Sequence, residues 1–231
     1  MSRKAELKAR GAAINEALGR LYPEAKCSLG FESPFQLITA TILSAQCTDE
    51  RVNMVTPDLF RAFPTPKALA AADLVEIEGL IRTTGFFRNK AKSLKGMATA
   101  LVRDHAGKVP GEMEALVKLP GVGRKTANVV LGNCFGVPGI TVDTHMQRVT
   151  ARLGLTRGTT PEKIERELME IIPEKEWTLF SHRIICHGRA ICNARKPACE
   201  RCEVTGLCSY FAKFQVKAPK MAKSGLKSRG K

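Results

Sequence analysis

Lys125 stands in the stretch Leu119-Pro120-Gly121-Val122-Gly123-Arg124-Lys125-Thr126-Ala127, where two glycines one residue apart run into a cationic pair. Glycine serves backbone that must turn sharply, take positive φ or come close to a ligand. A helix opening right after such a turn presents unpaired N–H groups and the positive end of its dipole, which suits an anion. The spacing predicts a helix–hairpin–helix, with one helix ending near Leu119 and the next starting at about Arg124. Two readings fit. Gly121, Val122, Gly123 and Arg124 form a DNA-phosphate cradle with a lysine beside it, or the stretch is a tight turn between packed helices. Asp143, placed just before another helix, reads on its own as an N-cap.

Cys192, Cys199, Cys202 and Cys208 make the pattern C-x6-C-x2-C-x5-C. Four thiolates in so short a loop repel one another unless a metal centre takes them up. Structural zinc and iron–sulfur clusters both accept four cysteines. The outer loops are longer than zinc knuckles usually allow, which favours [4Fe–4S]. Cys186, six positions earlier, competes with Cys192 as first ligand, and the position of Cys192 at a helix exit favours the latter. Arg195 and Lys196 lie inside the loop, set either to meet a phosphate or to be solvated. Cys27, Cys47 and Cys134 sit in apolar or helical context, where free cysteine packs as a small hydrophobe.

Thirty-seven Lys and Arg against 22 Asp and Glu give a net charge of +15. Residues 209–231 hold seven of those cations and no acid, leaving +8 on the rest of the chain. The excess therefore belongs to the body as well as the end. It points to a polyanionic partner, most simply nucleic acid, bound with release of counterions. No stretch approaches the length of a membrane span, and no apolar run of signal length follows the first residues, so a cytoplasmic protein is expected, nucleoid-associated if bacterial. In that setting eight cysteines speak for metal ligation and buried thiols rather than disulfides. Aromatics at 6% make base-stacking platforms for single strands a poor fit, and duplex binding a better one.

The elements that must position these groups are helical. Residues 3–20 read as a basic helix. Ser33-Pro34 is a helix start, with Phe35, Ile38, Ile42 and Ala45 at helical spacing behind it. Thr48 caps a helix to about Phe63, Thr65-Pro66 opens a short one, and Asp73 caps another toward Gly79. A long helix follows Gly85, and a short one leads from Met113 into the hairpin. Gly136-Val137-Pro138-Gly139 is the main break, followed by a brief extended run at Ile140-Thr141-Val142. Helices are expected near 144–154, 161–172 and 177–191. No period-2 alternation is sustained anywhere, so the fold is expected to be all-α. From about Lys213 the chain reads as a flexible basic arm.

Together the hairpin, Val142-Asp143-Thr144-His145 and the cysteine spacing closely resemble the endonuclease III family of DNA glycosylases. Leu43-Ser44-Ala45-Gln46 and His187-Gly188-Arg189 fit as well. The resemblance implies two all-α domains with a DNA-binding cleft between them. Residues 29–137 would form a six-helix domain, residues 1–28 with 138–211 a domain holding a [4Fe–4S] cluster, and residues 212–231 a basic tail. It implies that Lys125 is the nucleophile and Asp143 the catalytic carboxylate. The lysine would attack C1′, form a Schiff base and allow β-elimination 3′ to the abasic site. Double-stranded DNA carrying oxidised pyrimidines, thymine glycol among them, or abasic sites would be the substrate, and the protein would act as a monomer. Gln46 and Phe86 would fill the gap left by the extruded base. Phe86 replaces the family's familiar Leu, and Cys47 its Ala. An adenine-mismatch glycosylase is the nearest alternative, but it usually carries Ser at the position of Lys125. A non-catalytic DNA-binding or redox-sensing iron–sulfur protein would need neither Lys125 nor Asp143.

Overall fold

The computed structural model describes residues 2–217; most of the basic tail expected at 212–231 lies outside the described residues. Among those described, the chain forms helices and no strand. In order they are α1 (Arg3–Leu21), α2 (Pro34–Leu43), α3 (Asp49–Ala62), α4 (Pro66–Ala71), α5 (Leu74–Ile81) and α6 (Phe87–Asp104). After them come α7 (Met113–Leu116), α8 (Arg124–Val130), α9 (Thr144–Leu153), α10 (Pro161–Met169), α11 (Trp177–Ala190) and α12 (Ser209–Lys217). Helix α12 carries the chain as helix past Lys213, where the sequence suggested an arm.

Side-chain caps start most of these helices. Ser33, Thr48 and Thr65 accept hydrogen bonds from the N–H groups of Gln36, Arg51 and Ala68, each at 3.2 Å. Such a cap contributes about 1 kcal/mol by satisfying an N–H that the helix itself leaves open. Helix α5 runs past Gly79 and ends instead in a 3-10 turn, Arg82–Thr84.

Apolar burial divides into two cores, which gives a two-domain molecule. The first draws Leu37, Ile38 and Leu43 of α2 together with Leu94, Leu101 and Val130. Helix α2 runs through its middle, buried at every residue over 37–43. The second core takes Ile14 and Leu18 of α1 and packs them with Met146, Val149, Leu168, Phe180 and Ile184. Burying each such side chain contributes roughly 1.5–3 kcal/mol. Helix α1 is thus first in sequence yet belongs with the C-terminal half.

The connection between the cores is less regular than the sequence suggests. Helix α8 continues into one π-helical turn, Leu131–Phe135, before Gly136 ends it at φ 66°. A Cβ on Gly132 would lie 2.6 Å from Thr178 Oγ1, so this turn presses its backbone against α11. Ile140–Val142 crosses to the second core without pairing as a strand, and Thr141 N–H donates to Ser181 Oγ at 3.0 Å. No helix among the described residues is long and apolar enough to cross a membrane.

Candidate active site

The hairpin is built as its glycines suggest. Gly121 has φ 78°, and a Cβ there would lie 2.7 Å from Ser93 Cβ, so conformation and space both require glycine. Val122 turns its side chain into the first core and is buried. Gly123 occupies the N-cap position of α8, and no side chain caps that helix. Its first N–H groups, beside Lys125, therefore have no capping side chain.

Lys125 is exposed on the first turn of α8 and makes no hydrogen bond or ion pair among the described residues. Asp143 caps α9, its Oδ1 accepting the Met146 N–H at 2.7 Å. The capping role read from the sequence is real, and it engages only one carboxylate oxygen. Lys125 and Asp143 line one cavity of about 100 Å³ where the two cores meet, with Thr41 and Ser44 on one side and His182 and Arg189 on the other.

A clasp of three of its lining residues, Ser28, Asp49 and Arg189, stands in the wall of that cavity. Arg189 Nη2 donates to Asp49 Oδ2 at 2.6 Å and its Nη1 to Ser28 Oγ at 3.0 Å, while the Ser28 hydroxyl itself donates to Asp49. Burial of Asp49 opposes its ionisation. The hydrogen bonds from Ser28 and Arg189, with the charges of Arg189 and Lys125, outweigh it and hold the carboxyl below its ordinary value. Neither Asp49 nor Ser28 was singled out by sequence, since residues that meet across domains leave no periodic signal.

The His187-Gly188-Arg189 segment has three jobs. A Cβ at Gly188 would lie 2.9 Å from His145 Nδ1, so the glycine lets α9 and α11 approach. His187 bridges the Tyr22 hydroxyl, 3.1 Å from its Nδ1, and the Cys202 sulfur, 3.6 Å from its Nε2. Arg189 makes the clasp. His145 accepts from Arg148 Nη2 at 3.1 Å.

Gln46 and Phe86 share an unusual backbone. With Ala106 they are the non-glycine residues of positive φ among those described, at 52° and 47°. For a bulky aromatic that is a rare conformation, and such strain collects where function needs it. It leaves Phe86 67% exposed. Beneath the turn, Lys90 is buried and its ammonium donates to Thr84 O at 2.7 Å, just before Gly85 and Phe86. Burial pushes the Lys90 amine down from its ordinary value, and the nearby Cys47 thiol opposes that shift.

Arg124 does not face a ligand freely. Its guanidinium grips Glu165 through Nε to Oε2 at 2.7 Å and Nη2 to Oε1 at 3.0 Å. Glu165 is buried on α10 and also accepts from Asn128 at 3.1 Å. The pair ties the two cores together just behind Lys125, which makes Arg124 first a strut.

Cys192, Cys199, Cys202 and Cys208 line one small cavity walled by Leu153, Ile191 and Phe211. Cys186 lines the Lys125 cavity instead, apart from Cys199, Cys202 and Cys208. Burial first, then the neighbouring sulfurs, pushes the Cys199 and Cys202 thiols up. Four soft donors around an apolar hollow suit an iron–sulfur cluster. Among the described residues no three His, Cys, Asp or Glu side chains are gathered closely enough to hold a metal ion as they stand. Two arginines of α9 fix the loop: Arg152 donates to the carbonyls of Asn193 and Ala194, both at 2.7 Å, and Arg148 to that of Cys192 at 3.1 Å. Arg195 and Lys196 stand exposed beyond them.

Residues 39–174 match the model of the HhH-GPD superfamily of base excision DNA repair proteins. The chain is 54% identical over 209 residues to an endonuclease III from Synechocystis, covering 90% of this chain and 95% of that one. It is 43% identical to an endonuclease III from Bacillus subtilis, covering 84% and 89%. A solved structure described as a trapped endonuclease III–DNA covalent intermediate in an estranged-adenine complex superposes with a TM-score of 0.86. It is 42% identical and covers 93% of this chain and all of that one. A thermostable thymine-DNA glycosylase, 23% identical with a TM-score of 0.79, shares the fold.

Proposed function

The chain belongs to the endonuclease III family of base excision repair DNA glycosylases, and from that premise we propose that it is a bifunctional glycosylase and abasic-site lyase for oxidised pyrimidines, with Lys125 as nucleophile. The observation that carries this reading is the shared cavity: an exposed, unpaired Lys125 and a half-buried Asp143 face one hollow between the two cores.

Duplex DNA lies across the hairpin, whose uncapped amides hold a backbone phosphate without reading sequence. The damaged base leaves the stack, and Gln46 and Phe86 occupy the gap. The Lys125 amine, having given up a proton, forms a bond to C1′ as the glycosidic bond breaks, and the departing base takes up a proton. Asp143, which lines the cavity with one oxygen held by the Met146 N–H, stabilises positive charge on the sugar and moves protons. Opening of the sugar ring completes the Schiff base. The imine acidifies the C2′ proton, whose removal expels the 3′ phosphate and cuts the strand.

Cys192, Cys199, Cys202 and Cys208 would hold a [4Fe–4S] cluster, which supplies a rigid, charge-compensating centre for the loop carrying Arg195 and Lys196 to the DNA. The two cores support domain limits of 29–137 for the six-helix domain and of 1–28 with 138–211 for the cluster domain. All these groups come from one chain, so a monomer suffices.

Borohydride trapping tests the assignment, using duplexes that contain thymine glycol, an abasic site, or adenine opposite 8-oxoguanine. Covalent adducts are expected on the first two and absent with Lys125→Gln. Failure of an active, cluster-loaded preparation to trap either duplex would overturn the bifunctional reading.

A further inference from the structure

A groove of about 800 Å³ runs between α6 and α7, bordered by Leu119 and Pro120 of the hairpin. Its polar rim is cationic: Lys92, Lys95, Arg103 and Lys118 surround it, with Asp104 as the acid among its lining residues. Arg103 and Asp104 already satisfy each other at 2.6 and 2.7 Å, and the Lys95 ammonium donates to Ala72 O at 2.7 Å. Lys92 and Lys118 are exposed and have no hydrogen-bond or ion-pair partner among the described residues.

This arrangement works against the helix that carries it. Arg88 and Lys92 are four residues apart on α6, and Lys92 and Lys95 three, spacings at which like charges destabilise a helix. A stripe of cations that weakens its own helix calls for an anionic partner from outside. Helix α6 also bears Phe86 at its start, and its middle is locked to the hairpin. A Cβ on Gly96 would lie 3.2 Å from Pro120, and Gly121 packs against Ser93. Groove, hairpin and Phe86 turn therefore form one rigid surface.

We propose that this groove is a second phosphate-binding site, which takes the backbone of the duplex beyond the hairpin through Lys92 and Lys118. The proposal rests on reading the hairpin as a DNA-phosphate cradle. Continuity with that cradle favours DNA over an acidic protein: a strand leaving Gly121–Gly123 past Pro120 enters the groove directly. Phosphate contacts of this kind add affinity and register and carry no sequence information.

The test measures affinity against salt for the cluster-loaded protein on a long duplex with an uncleavable abasic-site analogue, and on the same duplex trimmed from each side. The double variant Lys92→Ala, Lys118→Ala should bind the long duplex about tenfold more weakly. Its log–log salt slope should be shallower by about 2, as expected for two lost phosphate contacts. On the duplex trimmed at the groove side it should match the wild type. An unchanged slope, or a loss that persists on the duplex trimmed at both sides, overturns the proposal. So does competition by a poly-glutamate peptide that the double variant loses while keeping its DNA slope, which would assign the groove to an acidic protein. Gly123→Glu separates the premise from the proposal, because a side chain there meets nothing within 4 Å. If Gly123→Glu binds like the wild type, the cradle reading fails. If it binds weakly while the double variant keeps its slope, only the groove fails.

Discussion

Replacing Asp143 by Asn keeps a side-chain oxygen to accept the Met146 N–H, and Asn caps helices as well as Asp does. Replacing it by Ala removes cap and charge together. Thermal unfolding of Asp143→Asn should therefore stay within about 0.5 kcal/mol of the wild type, whereas Asp143→Ala loses about 1 kcal/mol. Excision by either should slow by roughly 10²–10⁴, the usual weight of a positioned proton-transfer group, with DNA binding retained. Full activity in Asp143→Asn would leave Asp143 a cap and nothing more. Lys90 gives a second residue-scale expectation. Its bond to Thr84 O holds the base of the turn that exposes Phe86, so Lys90→Met should resemble Phe86→Ala. Both should weaken excision of a paired lesion more than of a lesion already unpaired. Equal loss on the two substrates would show that Lys90 supports the fold rather than the turn.

Helix α8 owes its place to α10 through Arg124 and Glu165, a buried carboxylate gripped by a half-exposed guanidinium. Glu165→Gln keeps the bond to Asn128 and removes the charge. A charge-assisted hydrogen bond contributes about 1.5–3 kcal/mol, and solvent reaching Arg124 places the expected loss at the lower end. Denaturant unfolding measures it, and a variant as stable as the wild type would show that the strut carries no load. Helix α8 also marks how much could be read beforehand. Its start, the hairpin before it and the caps of α2, α3 and α4 are local patterns, and the sequence carries them openly. In the π-turn after it Gly132 packs against Thr178, far along the chain, and the strut joins residues 41 positions apart. Neither has a period or a neighbouring signature. For the same reason the Arg124–Glu165 pair, Lys90 and the Asp49–Arg189 clasp leave no mark in the sequence.

At the scale of the molecule, two cores meet along an interface that contains titratable groups, and this gives stability a stepped dependence on pH. Burial lowers His182, His187 and His145 below their ordinary 6.5, with the charges of Arg148 and Arg189 adding to the effect at His145 while Asp143 opposes it. The folded protein thus keeps these rings neutral at pH values where the unfolded chain has begun to protonate them. Where the unfolded state binds more protons, stability rises with pH. It should therefore be level above about pH 7.5 and fall as pH drops through 6.5. Asp49 acts in another window. Its folded value lies below the ordinary 3.8, so its contribution is complete above 3.8 and is lost only as pH falls through the lower folded value. Two descents are expected, an upper one from histidines and a lower one with the Arg189 clasp. His182→Gln retains a donor for Asn133, which accepts from His182 Nε2 at 3.0 Å, and should shrink the upper descent alone. Asp49→Asn should lower stability near neutrality and flatten the acid limb, leaving the upper descent in place. Unfolding midpoints between pH 8 and 3, with the cluster's absorbance followed in parallel, distinguish these outcomes. A midpoint that does not move between pH 7.5 and 5.5 would mean that the buried rings accept protons in the folded state as readily as in the unfolded one.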